Sequence, residues 1–104
     1  MPEPVIHTAS MVYVDTLRHH GQTNCPLIFR GRKSCHMYAD SLEELHAFAA
    51  KIGMKLRWFQ KHRIVDHYDL NESRRKRAVF EGAIEQNRDQ TIATWRRLKE
   101  LSLK

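Results

Sequence analysis

The run Cys35-His-Met-Tyr-Ala-Asp40, followed at once by Ser41-Leu-Glu-Glu44, constrains this chain more than any other feature. A β-prone segment ends in an aspartate and passes directly into a Ser-x-x-Glu capping box, the pairing that satisfies the open N–H groups of a starting helix. Leu42, Leu45, Ala49 and Ile52 then recur at spacings of three and four, so they share one helical face. Gly53 stands where a left-handed C-terminal cap belongs. The pattern predicts a strand over 35–40 and a helix over 42–52.

The rest of the chain is arranged around that unit. Met11-Val-Tyr-Val-Asp-Thr16 is rich in β-branched and aromatic residues and reads as a first strand with Asp15 at its carboxyl end. Met54-Lys-Leu-Arg-Trp-Phe59 alternates as a half-buried third strand would, and a basic, turn-like stretch follows through His62 and Asp66. His67-Tyr-Asp-Leu70 reads as a polar cluster leading into a second helix over 72–81, capped by Asn71 and closed by Gly82. A short strand over 83–86 precedes a last helix, for which Asn87 and Gln90 form a capping pair and Ile92, Trp95, Leu98 and Leu101 an apolar stripe.

Strands alternating with helices predict crossovers and parallel pairing. The expected fold is therefore α/β: a small, mainly parallel sheet of three to four strands packed with about three helices. With 104 residues there is room for one core. It is assigned to 11–86, between an N-terminal segment 1–10 and a C-terminal basic amphipathic helix 87–104.

Lys and Arg number 18 against 12 Asp and Glu, a formal charge of +6 that favours phosphate-bearing partners. Between Leu17 and Ser34 four basic side chains (Arg18, Arg30, Arg32, Lys33) occur without an acidic one, which reads as a basic loop. Cys25 and Cys35 are too few for a disulfide framework or a four-cysteine zinc site, so a reducing cytoplasm is the expected location. The apolar runs fall far short of the roughly 20 residues a membrane span needs, and no membrane partner is expected. Neither a glycine-rich phosphate loop nor a nucleophile elbow occurs in the sequence.

Asp15, Asp40 and Asp69 lie at or just after expected strand ends, with His36 and His67 close to two of them. Convergent carboxylates and imidazoles are what a divalent ion for phosphoester cleavage requires. Asp15, Asp40 and Asp69 are the candidate ligands for Mg²⁺, Mn²⁺ or Zn²⁺, and with His67 the candidate catalytic groups. Each aspartate has a plainer role as a turn or cap residue. Candidate ligand-binding residues are His36 and Gln60 near strand ends, Tyr68 as a stacking surface, and Arg18, Arg32, Arg74 and Arg75 as a positive rim. Four successive basic residues, Arg74-Arg-Lys-Arg77, cover most of a helix circumference. Arg75 then projects between Ala78 and Val79, where it must snorkel outward or meet a carboxylate or bound anion. His46 faces the Leu42 and Ala49 side of its helix and is expected to be a hydrogen-bonded, partly buried histidine.

His36-Met-Tyr-Ala-Asp-Ser-Leu-Glu-Glu-Leu-His-Ala-Phe-Ala-Ala-Lys-Ile-Gly53, together with Trp58-Phe-Gln60 and His67-Tyr-Asp-Leu70, resembles the domain-of-unknown-function family 4031 of bacteria and their phages. Val12-Tyr-Val-Asp15 and the arginine-rich helix ending in Gly82-Ala83 also fit that family. The resemblance covers roughly Met11 to Glu85, and it implies no particular reaction. It makes the helix beyond Gly82-Ala83 look like a local addition, suited to oligomerisation or a protein partner through 87–104.

Besides nonspecific binding of duplex nucleic acid, whose affinity would fall steeply with salt, two functions remain open on the sequence. One is a basic, Asp/His-lined cleft at the strand ends that binds a nucleotide or nucleic acid, with or without metal-dependent hydrolysis. The other is a non-enzymatic module that engages a host macromolecule through its basic helices.

Overall fold

A computed structural model describes residues 11–19 and 33–102. Most of the basic loop, including Cys25, Arg30 and Arg32, lies outside the described residues. The chain forms β1 (Val12–Val14), β2 (Arg18–His19), β3 (Lys33–Ala39), α1 (Leu42–Lys51), a 3₁₀ turn (Leu56–Trp58), β4 (Phe59–Gln60), β5 (His67–Asn71), α2 (Glu72–Phe80), β6 (Ile84–Glu85) and α3 (Arg88–Ser102). Among the described residues no helix is long and apolar enough to cross a membrane.

The helix starts follow the local signals. Ser41 Oγ accepts the Glu44 N–H at 3.1 Å, and Asn71 Oδ1 accepts the Arg74 N–H at 2.8 Å. Asn87 and Gln90 cap each other reciprocally, N–H to side-chain oxygen, at 2.8 and 2.9 Å. Gly53 and Gly82, with φ of 82° and 112°, end α1 and α2 in backbone conformations that side chains disfavour.

The sheet corrects the expected pairing. Its order is β4-β5-β3-β1-β6, with β2 also paired to β3, and it is mixed. β1 with β3, β2 with β3, β3 with β5 and β4 with β5 are antiparallel, and only β1 with β6 is parallel. Helical crossovers do join strands of like direction, β3 to β4 through α1 and β5 to β6 through α2. Neither pair is adjacent, because β5 enters between β3 and β4, while β3 and β1 lie between β5 and β6. The parallel-pairing expectation fails at that step. Two segments also change identity: of the expected third strand over 54–59, residues 56–58 form the 3₁₀ turn and only Phe59 is in a strand, and the expected pre-helix cluster His67–Leu70 lies within β5.

Register assigns the side chains to two faces, since successive strand residues point to opposite sides. On one face Val12, Val14, Cys35, Met37, Tyr68 and Leu70 pack beneath Leu45 and Ala49 of α1 and Ala78 of α2. On the other face Tyr13, Tyr38 and Val65 meet Trp95 and Leu98 of α3. The first face is the main core. The second is where the polar residues of β1, β3 and β5 fall into line.

Between Val14↔Met37 and Arg18↔Ser34 the chain takes four steps on one side against three on the other. One extra residue is thus accommodated around Asp15–Leu17. Such a bulge turns side chains out of the regular pleat and is common beside functional sites.

Cys35 sits in the main core at 2% exposure, and burial pushes its thiol up to about 12. At neutral pH the thiolate fraction is then negligible, and the thiolate is the reactive form. In a Cys25→Ser background the folded protein should not react with a thiol reagent at neutral pH, and should react fully once unfolded in urea. Rapid native labelling would contradict the buried β3.

Candidate functional site

Asp15, His36 and Asp69 occupy one row across β1, β3 and β5. His36 pairs with Asp69 in register, and the Asp15 N–H donates to the His36 carbonyl at 3.1 Å. His67 lies two residues before Asp69 on the same face of β5, directly opposite Gln60 of β4. Sheet geometry alone therefore gathers Asp15, His36, His67 and Asp69.

Hydrogen bonds fix both imidazoles. Asp15, 4% exposed, accepts the His36 backbone N–H through Oδ1 at 2.7 Å and lies 2.8 Å from His36 Nδ1 through Oδ2. An ionised carboxylate only accepts, so this contact places the hydrogen on Nδ1. The largely exposed Arg18 reaches the same corner, 3.6 Å from Asp15 Oδ2; its 3.0 Å approach to His36 Nδ1 sets donor against donor once Asp15 holds the Nδ1 hydrogen, so its favourable partner there is the carboxylate. His67 Nδ1 lies 3.0 Å from the Val65 carbonyl, which likewise requires a hydrogen on Nδ1. In the neutral rings the lone pairs are left on the two Nε2 atoms, and both face Asp69 Oδ1, at 3.9 Å from His36 and 3.5 Å from His67. Burial holds the His67 imidazolium pKa below its ordinary value, helped by the neighbouring His36. His67 is therefore neutral at neutral pH and keeps its Nε2 lone pair.

The other oxygen of Asp69 accepts a hydrogen bond from Gln60 Nε2, which orients the carboxylate. Ligand atoms from His36, His67 and Asp69 all lie within 4.8 Å of one another. Tetrahedral zinc with bonds near 2.0–2.1 Å sets its ligand atoms about 3.4 Å apart, so a contraction of up to about 1.4 Å would close this set around an ion. Two nitrogens and one oxygen suit Zn²⁺ or Mn²⁺ better than Mg²⁺, which favours an all-oxygen shell. Three protein ligands leave a position open, as catalytic zinc sites do. Each imidazole is also held from behind, His36 by a carboxylate and His67 by a carbonyl, the second layer that metal-binding histidines regularly have.

Trp95 of α3 closes one side. Its ring lies 5.6 Å from that of His36, edge on, and 6.1 Å from that of His67, nearly parallel. His62, from the loop between β4 and β5, adds a ring 5.7 Å from His67. Beyond Trp95 a groove of about 620 Å³ opens between the end of β1 and α3. Arg18, Arg88, Arg96 and Lys99 line it, with Thr16, Thr91 and Ile92.

Several candidates from the sequence stand elsewhere. Asp40 lies four residues along β3 from His36, about 13 Å away at the opposite edge of the sheet. There its Oδ1 accepts from Tyr13 Oη at 3.0 Å and from Arg97 at 2.9 Å. Tyr68 faces the main core, its hydroxyl 2.8 Å from His46 Nδ1. Arg74 lies 5.3 Å over the Trp58 ring. Arg75 donates to the Asp15 carbonyl at 2.9 Å and to Glu85 at 3.0 Å. α2 thus puts neither arginine among the groove-lining residues, where the positive side chains come from α3 and Arg18. Arg32 lies outside the described residues. The lining roles of Arg88, Thr91 and Trp95 were missed, although the i, i+3 and i+7 spacing of these positions on α3 would have shown a shared face.

α3 is also a wall of the centre, so removing residues 87–104 would disturb the cleft as well as any surface on that helix. A search of curated proteins and one of solved structures returned no match. A family model described as protein of unknown function (DUF4031) matches residues 12–98. The match runs well beyond Gly82-Ala83, so α3 as far as Leu98 lies within the family's own extent and the local-addition reading is corrected. Covering most of the chain, it places this protein in the DUF4031 family.

Proposed function

We propose that His36, His67 and Asp69 hold one divalent transition-metal ion, and that this centre hydrolyses a phosphoester of a nucleotide or nucleic acid lodged in the adjoining basic groove. The observation that carries the reading is the convergence of two Nε2 atoms on Asp69, each ring fixed through its Nδ1 hydrogen. A bound ion supplies Lewis acidity and lowers the pKa of water toward neutrality. The chain supplies orientation. Asp15 and the Val65 carbonyl hold the rings, Gln60 holds Asp69, and the cations beside the centre favour a phosphate. In the reaction a water oxygen bonds to phosphorus as the bond to the leaving alkoxy oxygen breaks. One water proton ends on that oxygen, giving a phosphomonoester and an alcohol from a diester.

Calorimetric titration with Zn²⁺, Mn²⁺ and Mg²⁺ should show one site per chain, with Zn²⁺ or Mn²⁺ preferred over Mg²⁺. Bis(p-nitrophenyl) phosphate should be cleaved by the metal-loaded protein and spared after chelation. Absence of binding by all three ions would overturn the metal centre; binding without turnover on this ester and on an oligonucleotide would overturn the hydrolytic part.

A further inference from the structure

The groove beside the centre has a directional pattern. Arg88, Ile92, Trp95, Arg96 and Lys99 all line it, and their spacing of three to four residues puts them along one side of α3. From Arg88 to Lys99 the helix rises about 16 Å, longer than one phosphate needs. Arg18 faces them across the groove. Among the described lining residues the only carboxylate is Asp15, which is buried and already bound to His36. Arg88 and Arg96 therefore face the groove with no exposed carboxylate among its described lining residues. Between the cations lie apolar surfaces, Ile64, Ile92 and the edge of Trp95.

Cations that track a backbone, interleaved with apolar and aromatic surface, are what a single strand of nucleic acid requires. A duplex displays its base edges only to a convex element entering one of its grooves, and this surface is concave. A mononucleotide would leave most of the length of α3 unused. Trp95 lines the groove and also touches both imidazole rings, so an occupant lies one indole ring away from the His36–His67–Asp69 centre.

We propose that the groove between β1 and α3 binds single-stranded nucleic acid, its phosphates on Arg18, Arg88 and Arg96 and its bases against Ile92 and Trp95. The binding step stands on the groove alone; only the identity of the scissile phosphodiester rests on the proposed metal centre. The test is fluorescence anisotropy with a labelled mixed-sequence single strand, in the presence of chelator so that nothing is cut. Competitors are the same sequence as a duplex and a nucleoside monophosphate.

The single strand should bind roughly tenfold or more tighter than the duplex, and the monophosphate should compete poorly. Affinity should fall with salt. The double variant Arg88→Ala/Arg96→Ala should bind roughly tenfold more weakly, with a salt slope shallower by about 1.4 for two lost phosphate contacts. Its circular dichroism and melting temperature should match those of the parent. Equal affinity for the duplex, full competition by the monophosphate, or an unchanged slope in the double variant would each overturn the proposal. Because chelator is present throughout, failure of the metal centre would leave this result intact, and failure here would leave the zinc titration intact.

Discussion

Replacing His67 with alanine should abolish tight zinc binding, and replacing Asp15 with asparagine should weaken it by about 10–100-fold although every ligand atom remains. The His67 effect is the loss of one of only three protein ligands, the one whose buried, neutral ring aims Nε2 at Asp69. Asp15 acts through His36. Its carboxylate takes the Nδ1 hydrogen at 2.8 Å and leaves the lone pair on Nε2. An asparagine amide can present N–H to Nδ1 instead, which favours the tautomer with hydrogen on Nε2, the atom a metal needs.

Asp15 is thus a positioning residue, and tautomer-sensitive nitrogen shifts of His36 should report the switch directly. Zinc affinity measured by competition with an indicator, alongside circular dichroism, separates these outcomes. Parent-like affinity in Asp15→Asn would remove His36 Nε2 from the ligand set. Parent-like affinity in both variants would place the metal elsewhere.

The parts of this fold that sequence could reveal are those decided within a few residues. Ser41, Asn71 and Asn87 cap their helices through partners three positions on, and each cap lay where its pattern put it. Strand neighbours are set over much longer separations. Asp15 and Asp40 both end strands, and in a parallel sheet they would share one edge. Because β1 and β3 run antiparallel, their carboxyl ends lie at opposite edges, which takes Asp40 away from the other acids.

β5 was hidden by its own cap, since Asn71 made the residues before it look like a helix entry. The informative signal was alternation. His67-Tyr-Asp-Leu-Asn71 has period two, as Cys35-His-Met and Val14-Asp15 do, and its polar members align on the face away from the main core. Read that way, His67 and Asp69 join His36 and Asp15 on one surface. The closing contribution of α3 depends on where a whole helix docks, which its stripe of Ile92, Trp95 and Leu98 suggests but does not locate.

Leu70→Ala should be among the most destabilising single changes, costing about 2–5 kcal/mol. Leu70 is fully buried on the core face of β5, the strand that separates β3 from β4. Removing its isobutyl group loses transfer free energy and leaves a cavity. Collapse around that cavity is restricted, because β5 is hydrogen-bonded on both sides and α2 packs over it. For a domain whose total stability is on the order of 5–15 kcal/mol, such a loss consumes a large fraction. The melting temperature should fall by roughly 10 °C or more, at about 4–8 °C per kcal/mol for a domain of this size.

Phe80→Ala is the control: at 83% exposure that ring should matter by less than about 0.5 kcal/mol despite its larger apolar surface. Urea unfolding of the two variants beside the parent makes the comparison. A Leu70→Ala cost below about 1 kcal/mol would mean that β5 is not the packed inner strand of this sheet, and the row joining Asp15, His36 and Asp69 would lose its support as well.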